Sequence, residues 1–514
     1  MSKTIIIIGA GLAGLSATLQ AAENGCNVKL VSSLPSERAQ SVMAEGGINA
    51  ALNTKDENDS PEEHFTDTIK AACGLADPNA VWGMTQAAPE LVHWLLKLGV
   101  KFNMSGHDDV DLRNFGGQKK KRTAFAQSDT GKQIMTAMID AVRRKEASGM
   151  VEPFSHHSFL TLRLCGNICC GCVIRDEYSQ ETVELPGDAV IVATGGMHGL
   201  FGNTTGSLSN TGEVTAELFR LGVPLANGEM IQYHPTTVKC GGKRMLISEA
   251  ARGEGGRLFA TKDGKRWYFM EEKYPELGNL MPRDITAREI WKVSHESEVF
   301  LDMTEISDEI ISNKLSGLAD DCMTYLHKDI RKEPVSVLPG IHYFMGGILV
   351  DEQHRTPIQN LCAAGECCAQ YHGANRLGGN SLLGALYGGR VAAKSACEQA
   401  DVVDLSCATQ IDFPPASQIS EIKQLNKVMQ ETMGVVRNEN TLLNGIQTVQ
   451  ALTGNLPLLG MAVLKSALAR KESRGAHWRE DYPKSNDDDY LKTTVARFDG
   501  KQIQISFVPV PERR

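Results

Sequence analysis

The fold of this chain is decided by Ile5-Ile6-Ile7-Ile8-Gly9-Ala10-Gly11-Leu12-Ala13-Gly14. Four β-branched residues in a row are typical of a parallel strand that is buried on both faces. The glycines that follow have the spacing G-x-G-x-x-G, which predicts a tight turn that opens into a helix. We expect the helix at 15–24, ended by Gly25, and a second strand at 27–32. This segment therefore predicts the βαβ start of a nucleotide-binding α/β domain.

The same stretch has a second interpretation, because residues 4–22 carry no charge and resemble a signal peptide or a membrane anchor. Polar side chains at Thr4, Ser16, Thr18 and Gln20, together with the glycine spacing, favour a strand and a helix of a globular core instead. No other segment reaches membrane length. We therefore expect no direct membrane span and a cytoplasmic protein, which could reach a membrane through a partner.

Composition narrows the function classes. The chain has 514 residues with 53 basic and 62 acidic side chains, a net charge of −9, so a broad nucleic-acid surface is not expected. Its 13 cysteines, an odd number, fit a reducing compartment better than a disulfide framework.

Two further apolar strands run into glycines, at 188–196 and at 361–366. Three such units so far apart imply one nucleotide-binding domain interrupted by an insertion. The predicted parts follow in chain order: nucleotide-binding domain at 1–213 and 338–405, insertion at 214–337, helical domain at 406–480 and C-terminal tail at 481–514.

The glycine turn has a specific geometry. Gly9 permits the tight turn, Gly11 lets the backbone approach a pyrophosphate, and Gly14 lets the helix pack on the strand. The start of the helix, with Leu12 and Ala13, then faces the phosphates. The second strand ends in Ser32 and Ser33 instead of the acidic residue that binds a ribose in such domains, and a hydroxyl can also bond a ribose.

Several segments carry histidine or arginine close to glycines, which let a ligand approach. The candidate side chains are His234, Ser248, Glu249, Arg252, Arg283, His342 and Arg376. Cations that converge on one pocket would suit a dianionic substrate.

Motifs along nearly the whole chain resemble the flavoprotein subunits of succinate dehydrogenase and fumarate reductase. The resemblance is carried by Ala44-Glu45-Gly46-Gly47, Phe115-Gly116-Gly117, His372-Gly373-Ala374-Asn375-Arg376-Leu377-Gly378-Gly379-Asn380-Ser381-Leu382 and Glu472-Ser473-Arg474-Gly475-Ala476-His477. L-Aspartate oxidase belongs to the same superfamily. The resemblance implies an α/β fold: an FAD-binding Rossmann-like domain, an inserted α+β capping domain and a C-terminal helical domain.

The resemblance also implies roles. His234 and Ser248 would hold one carboxylate of a small dicarboxylate, and His342 and Arg376 the other. Arg283 would protonate fumarate, while Glu249 and Arg252 would relay the proton from solvent. Phe115 and Gly47 would complete the substrate site. The implied FAD site comprises Gly9, Gly11, Leu12, Ala13, Gly14, Ser32, Ser33, Ser41, Ala44, Gly46, Gly47, Thr194, Gly195, Glu366, Arg376, Ser381 and Leu382, and Arg122 and Thr123 would approach the FAD.

One departure from the family pattern is informative. Members that bind FAD covalently have a histidine where this chain has Gln40, in Arg38-Ala39-Gln40-Ser41-Val42. A glutamine cannot form that bond, so we expect non-covalent FAD. Loss of the covalent link lowers the flavin potential in this family and favours fumarate reduction, with hydride passing from the reduced flavin N5 to fumarate.

Alternative functions remain open. Aspartate oxidases have a glutamate where Phe115 stands, and Phe115 has no charge for a substrate ammonium group. Succinate oxidation, reduction of another enoate, and a flavin module without catalysis are further candidates. Electrons would come from an iron–sulfur subunit or a soluble donor. No metal site is expected, because Cys165, Cys169, Cys170 and Cys172 lie in a pattern that predicts a β-hairpin. The basic run 119–122 is interpreted as a solvated loop.

Overall fold

The computed structural model describes residues 2–106, 109–399, 413 and 418–514. The first part of the chain contains β1 (Thr4–Ile8), α1 (Leu12–Glu23), β2 (Asn27–Ser32), β3 (Ile48–Asn49), α2 (Pro61–Ala71), α3 (Pro78–Leu98), β4 (Leu112–Arg113), β5 (Thr123–Ala124), α4 (Thr130–Ala147), β6 (Val151–Ser155), β7 (His157–Cys165), β8 (Ile168–Asp176), β9 (Thr182–Pro186) and β10 (Ala189–Val192).

The middle part contains α5 (Glu213–Arg220), β11 (Leu225–Ala226), β12 (Ile231–Cys240), β13 (Lys243–Leu246), α6 (Glu249–Gly253), β14 (Arg257–Lys262), β15 (Lys265–Trp267), α7 (Phe269–Lys273), α8 (Arg283–Val293), β16 (Val299–Asp302), α9 (Asp308–Lys314), α10 (Ser316–Asp321), β17 (Val335–Ser336) and β18 (Leu338–Phe344). The last part contains β19 (Gly347–Leu349), β20 (Leu361–Ala363), β21 (Cys368–Ala369), α11 (Asn380–Gln399), α12 (Ile419–Thr432), α13 (Glu439–Val449), α14 (Asn455–Ala469), α15 (Asp487–Tyr490), β22 (Lys492–Phe498) and β23 (Ile503–Pro509).

A parallel sheet with the order β20-β10-β1-β2-β6 forms the centre of the first domain. Its inner strands β10 and β1 are almost wholly buried, as expected for strands with both faces covered, and β2 is buried at Val28, Leu30 and Val31. The three apolar segments that end at glycines are therefore neighbours in one sheet although they are far apart in the chain. The α/β prediction is confirmed.

Helix α1 starts at Leu12, earlier than the predicted residue 15, because Gly11 is its N-cap and Gly14 already lies in its first turn. A Cβ atom on Gly14 would lie 1.8 Å from the Gly9 carbonyl oxygen. Only glycine permits this close packing of helix on strand. The uncharged segment 4–22 is thus strand, turn and helix of the core. Within the described part of the chain, no helix is both long and apolar enough to cross a membrane.

The middle segment has a core of its own, with Leu258, Ile290 and Leu301 buried in it. Its antiparallel sheet has the order β15-β14-β16-β17, and a second sheet has the order β13-β12-β18. The α+β character expected of the insertion is seen in these elements. The domain limits stay predictions, and the limit at 405/406 lies outside the described residues.

The helical periodicity predicted after residue 413 corresponds to α12, α13 and α14. Leu425 and Met429 are buried, and Ile422 and Val428 pack against the same core. The segment 481–514, predicted as a C-terminal tail, is part of the folded core structure, because its strands β22 and β23 belong to the sheet β21-β19-β11-β22-β23. The predicted strand at 502–507 overlaps β23.

Two minor motifs have clear outcomes. Strands β7 and β8 form the expected hairpin, with Cys165 opposite Ile168, and the described residues contain no group of three or more His, Cys, Asp or Glu side chains able to hold a metal ion. The interpretation of 119–122 as a solvated loop is wrong for Arg122. Its side chain is fully buried and pairs with Asp59 at 2.8 Å and Asp67 at 3.0 Å.

Candidate active site

A cavity of about 650 Å³ lies between the parallel sheet and the middle segment. It brings together nearly all of the predicted site residues: Gly9, Gly11, Leu12, Ala13, Ser32, Ser33, Ser41, Ala44, Gly46, Gly47, Phe115, Thr194, Gly195, His234, Ser248, Glu249, Arg283, His342, Glu366, Arg376, Ser381 and Leu382. Gly14 and Arg252 are not part of the lining. Gly14 packs against Gly9, and Arg252 lies behind Glu249.

The end of the cavity at helix α1 fits a dinucleotide. Gly9 has φ +109°, which favours glycine, and a Cβ atom there would lie 2.3 Å from the Ala193 carbonyl oxygen. No side chain caps Gly11, and no acidic residue lies in the first turn of α1. The positive end of the helix dipole therefore meets the cavity without a competing anion, as a pyrophosphate requires. Ser41 accepts a hydrogen bond from Leu12 N at 3.2 Å.

The other end is built around an ion pair. Arg283, the first residue of α8, donates from Nε at 2.8 Å and from Nη2 at 2.6 Å to Oε2 of Glu249. Its Nη1 donates to Oε1 of Gln232 at 3.0 Å. Both partners of the pair are buried. The guanidinium is thus held in one orientation at the cavity wall.

Glu249 links two arginines. Its Oε1 accepts a hydrogen bond from Gly116 N at 2.9 Å and lies 3.6 Å from Nη2 of Arg252. Burial alone would raise the pKa of Glu249, but Arg283 and Arg252 hold that pKa below its usual value. Arg252 is buried, and its Nη1 donates to the Asn279 carbonyl oxygen at 2.5 Å. The three side chains form a continuous charged row leading away from the cavity.

Two imidazoles lie side by side in the cavity wall, where the rings of His234 and His342 make an edge-to-face contact with centroids 5.2 Å apart. Burial and the nearby Arg283 lower the pKa of both rings well below the usual value, so both are neutral. The Nδ1 atom of His234 lies 3.3 Å from the donor Thr236 N and 3.1 Å from the Thr236 carbonyl oxygen, and its buried Nε2 atom has no hydrogen-bond partner. A buried ring nitrogen without a partner at a cavity wall is suited to a polar ligand atom.

Arg376 adds a third cation. It is buried, its Nε atom has no hydrogen-bond partner, and its guanidinium lies 4.4 Å from the centre of the Tyr343 ring. Burial, followed by the repulsion of Arg283, lowers the pKa of Arg376 to about 9. An anion between Arg283 and Arg376 would relieve this repulsion. The apolar ring of Phe115 closes the same region. It lies so close to Gly46 that a Cβ atom on this glycine would be only 3.0 Å from the ring.

Sequence reasoning missed several lining residues. Thr205 contacts Nδ1 of His342 at 2.8 Å. Arg244 lines the cavity, and its Nε donates to Oγ1 of Thr237 at 2.6 Å. Burial raises the pKa of Glu45 to about 8. Thr205 and Arg244 belong to no recognised motif, so only the structure identifies them. Glu45 belongs to the motif Ala44-Glu45-Gly46-Gly47, but no role was predicted for its side chain.

Gln40 also lines the cavity, where its Oε1 accepts a hydrogen bond from Ser207 N at 2.5 Å. Arg122, which the resemblance brought close to the FAD, is instead outside the cavity lining and held by Asp59 and Asp67. Its buried Nη1 atom has no hydrogen-bond partner, and the approach of Arg122 and Thr123 to the FAD stays a prediction.

Comparison with known proteins identifies the family. Residues 4–382 match the FAD binding domain model, and residues 452–513 match the model described as fumarate reductase flavoprotein C-term. The succinate dehydrogenase flavoprotein subunit of Bacillus subtilis is 38% identical, with 100% of this chain and 98% of that protein covered. The 8-methylmenaquinol:fumarate reductase flavoprotein subunit of Wolinella succinogenes is 32% identical, with coverage of 100% and 92%.

Among solved structures, a point mutant of the Escherichia coli quinol fumarate reductase chain FrdA superposes with a TM-score of 0.90. The sequence identity is 26%, and 99% of this chain and 97% of that chain are covered. The fold and the sequence relationship therefore agree over the full length of the described chain. The protein is an FAD-dependent oxidoreductase that belongs to the succinate dehydrogenase and fumarate reductase flavoprotein family.

Proposed function

We propose that the protein reduces fumarate to succinate with non-covalently bound FAD. The observation that carries the proposal is the arrangement of Arg283 on Glu249 within a cavity that also holds His234, His342 and Arg376. A dianion suits this cavity, because Arg283 and Arg376 supply positive charge and the imidazoles supply directed donors. Bound reduced FAD would supply the hydride from N5.

The residues of the chain would handle the carboxylates and the proton. His234 and Ser248 would bind one carboxylate, and His342 and Arg376 the other, which fixes the alkene between the FAD site and α8. The cations stabilise the charge that develops on the carboxylate as one alkene carbon receives hydride.

Arg283 would then protonate the second alkene carbon. Arginine is a weak acid with a pKa above ~12, so it needs a strongly basic carbanion and prompt re-protonation. The hydrogen bonds to Glu249 and the 3.6 Å approach of Arg252 to Glu249 support such a relay. In this structure Arg252 is itself buried, so the last step to solvent requires a movement or a water molecule.

The direction of the reaction is inferred from Gln40. An amide cannot form the histidyl–flavin bond, and here it is engaged with Ser207 N. A dissociable flavin of lower potential favours fumarate reduction over succinate oxidation, which is the second candidate because the family contains both activities.

L-Aspartate oxidase is the third candidate, and Phe115 argues against it. This buried ring offers no charge to a substrate ammonium group. A carboxylate near that group would be needed to offset the cost of burying it. We therefore favour an unsubstituted dicarboxylate.

Reducing equivalents must reach the flavin from another molecule. The relatives are named flavoprotein subunits, which supports an iron–sulfur subunit as the donor, with a soluble reductant as the alternative. Among the described residues, no group of three or more metal-binding side chains offers an internal route.

The direction is tested by turnover both ways. Purified protein with FAD is assayed for fumarate reduction by reduced viologen and for succinate oxidation by an artificial electron acceptor. We expect fumarate reduction to be at least about tenfold faster than succinate oxidation. Tenfold corresponds to a difference of ~1.4 kcal/mol in activation free energy. Faster succinate oxidation would overturn the proposed direction, and absence of both activities would overturn the substrate class.

A further inference from the structure

Thr205 contacts one of the two ring nitrogens of His342, Nδ1, and leaves Nε2 for another partner. Its Oγ1 lies 2.8 Å from Nδ1, while His342 lines the cavity. The hydroxyl also lies 3.4 Å from the Ile341 carbonyl oxygen, which already accepts a hydrogen bond from Thr205 N at 3.0 Å. The ring nitrogen is therefore the better partner for the hydroxyl.

The direction of this hydrogen bond decides what His342 presents to a ligand. Arg283 and Arg376 lie near the ring, and burial keeps it neutral, so it carries one N–H. If Nδ1 held the hydrogen, a lone pair on Nε2 would face a substrate carboxylate and repel it. If Thr205 donates to Nδ1, the hydrogen lies on Nε2 and can be donated to the carboxylate.

The hydroxyl is held in place from both sides. The preceding residue, Thr204, contacts Nδ1 of His198 at 3.0 Å and accepts from Gly206 N at 3.2 Å through its hydroxyl. Two residues later, Ser207 N donates to Gln40 at 2.5 Å. The segment that carries Thr205 is thus fixed to β18 and to the residues around Gln40.

We infer that Thr205 is a positioning residue that keeps the hydrogen of His342 on Nε2 and so prepares the ring to bind a substrate carboxylate. The inference rests on the proposed function in that it needs an anionic ligand at His342. It adds a residue outside every motif of the sequence, and it gives Gln40 a second role as the anchor of the segment.

The test uses the full-length protein with bound FAD and variants at this one position. Thr205→Val keeps the shape and removes the hydroxyl, and Thr205→Ser keeps the hydroxyl. Fumarate binding to the oxidised enzyme is measured by calorimetry, and turnover is measured with reduced viologen. FAD content and thermal melting are recorded for each variant as controls for folding.

We expect Thr205→Val to raise Kd and KM for fumarate about tenfold and to change kcat by less than about threefold. Thr205→Ser should stay within about threefold of wild type. In a His342→Ala background, Thr205→Val should have no further effect, because coupled residues are non-additive. If Thr205→Val does not yield folded protein, Thr205→Ala removes the same hydroxyl and is judged in the same way.

Three results would overturn the inference: unchanged fumarate binding in Thr205→Val, an equal loss in the His342→Ala background, or a Thr205→Ser variant as weak as Thr205→Val. Fumarate binding without turnover in wild type would sink the proposed function alone, and calorimetry would still judge Thr205. A wild-type protein that does not bind fumarate would overturn both.

Discussion

Replacement of Arg283 by alanine is the most demanding test of the proposed chemistry. The change removes three hydrogen bonds, two to Glu249 and one to Gln232. General acid catalysis contributes about 10²–10⁴-fold, and one donor to a developing charge contributes about 10²–10³-fold. We therefore expect kcat for fumarate to fall by at least about 10⁴-fold.

The structural cost can be separated from the catalytic one. Without Arg283, Glu249 is a buried carboxylate whose closest remaining cation, Arg252, is 3.6 Å away. Breaking a buried pair costs about 3–5 kcal/mol, and Arg252 keeps the loss at the lower end. The variant should melt earlier, and addition of Glu249→Gln should restore part of the stability but none of the turnover.

The assay is viologen-coupled fumarate reduction, with FAD content and melting temperature measured on the same samples. Arg257→Ala is the matched control, because Arg257 also belongs to the middle segment and pairs with Glu271 at 2.6 Å, outside the cavity. It should keep near-normal turnover. Arg283→Lys should bind fumarate but protonate it poorly, since lysine lacks the planar fork. Turnover of Arg283→Ala within tenfold of wild type would refute the role of Arg283 and the relay through Glu249.

Three other results are expected. Acid precipitation should release yellow FAD into the supernatant, because Gln40 cannot bond it; flavin that stays with the pellet would contradict non-covalent binding. Phe115→Glu should raise KM for fumarate at least about tenfold without creating efficient aspartate oxidation, since desolvating the new charge beside a dianion costs several kcal/mol; unchanged kinetics would mean that Phe115 does not contact the substrate. Burial raises the pKa of Glu45 from 4.5 to about 8. Between these two pH values the folded state binds more protons than the unfolded state, so the free energy of unfolding falls as the pH rises. Glu45→Gln should remove that fall, and parallel melting curves of the two proteins from pH 5 to 8 would show that Glu45 is not perturbed.

The elements that the sequence predicted well have strong local signals. The isoleucine run and the glycine spacing define β1 and the turn, and the strands at 188–196 and 361–366 were recognised by the same pattern. Strand β6 (Val151–Ser155) has no such signal, because Pro153 and polar residues weaken its pattern. Proline is tolerated there since β6 is an edge strand of the sheet.

The site was predictable only where residues lie in motifs. The pairing of β22 with β11 and the contact of Thr205 with His342 bring together residues more than 100 positions apart, which local patterns do not report. The prediction that Arg122 lies in a solvated loop is wrong for the same reason. Its basic neighbours in the chain suggested solvent, whereas two distant carboxylates bury it.

Single-turnover oxidation of the reduced enzyme tests the central claim most directly. Protein with bound FAD is reduced by dithionite and a viologen without oxygen, excess reductant is removed, and the flavin absorbance is followed after mixing with fumarate, iminoaspartate or a cinnamate-like enoate. We predict rapid reoxidation by fumarate and slow reoxidation by the other two compounds. Reoxidation fastest with iminoaspartate or with the cinnamate-like enoate would contradict the assignment of fumarate as the substrate.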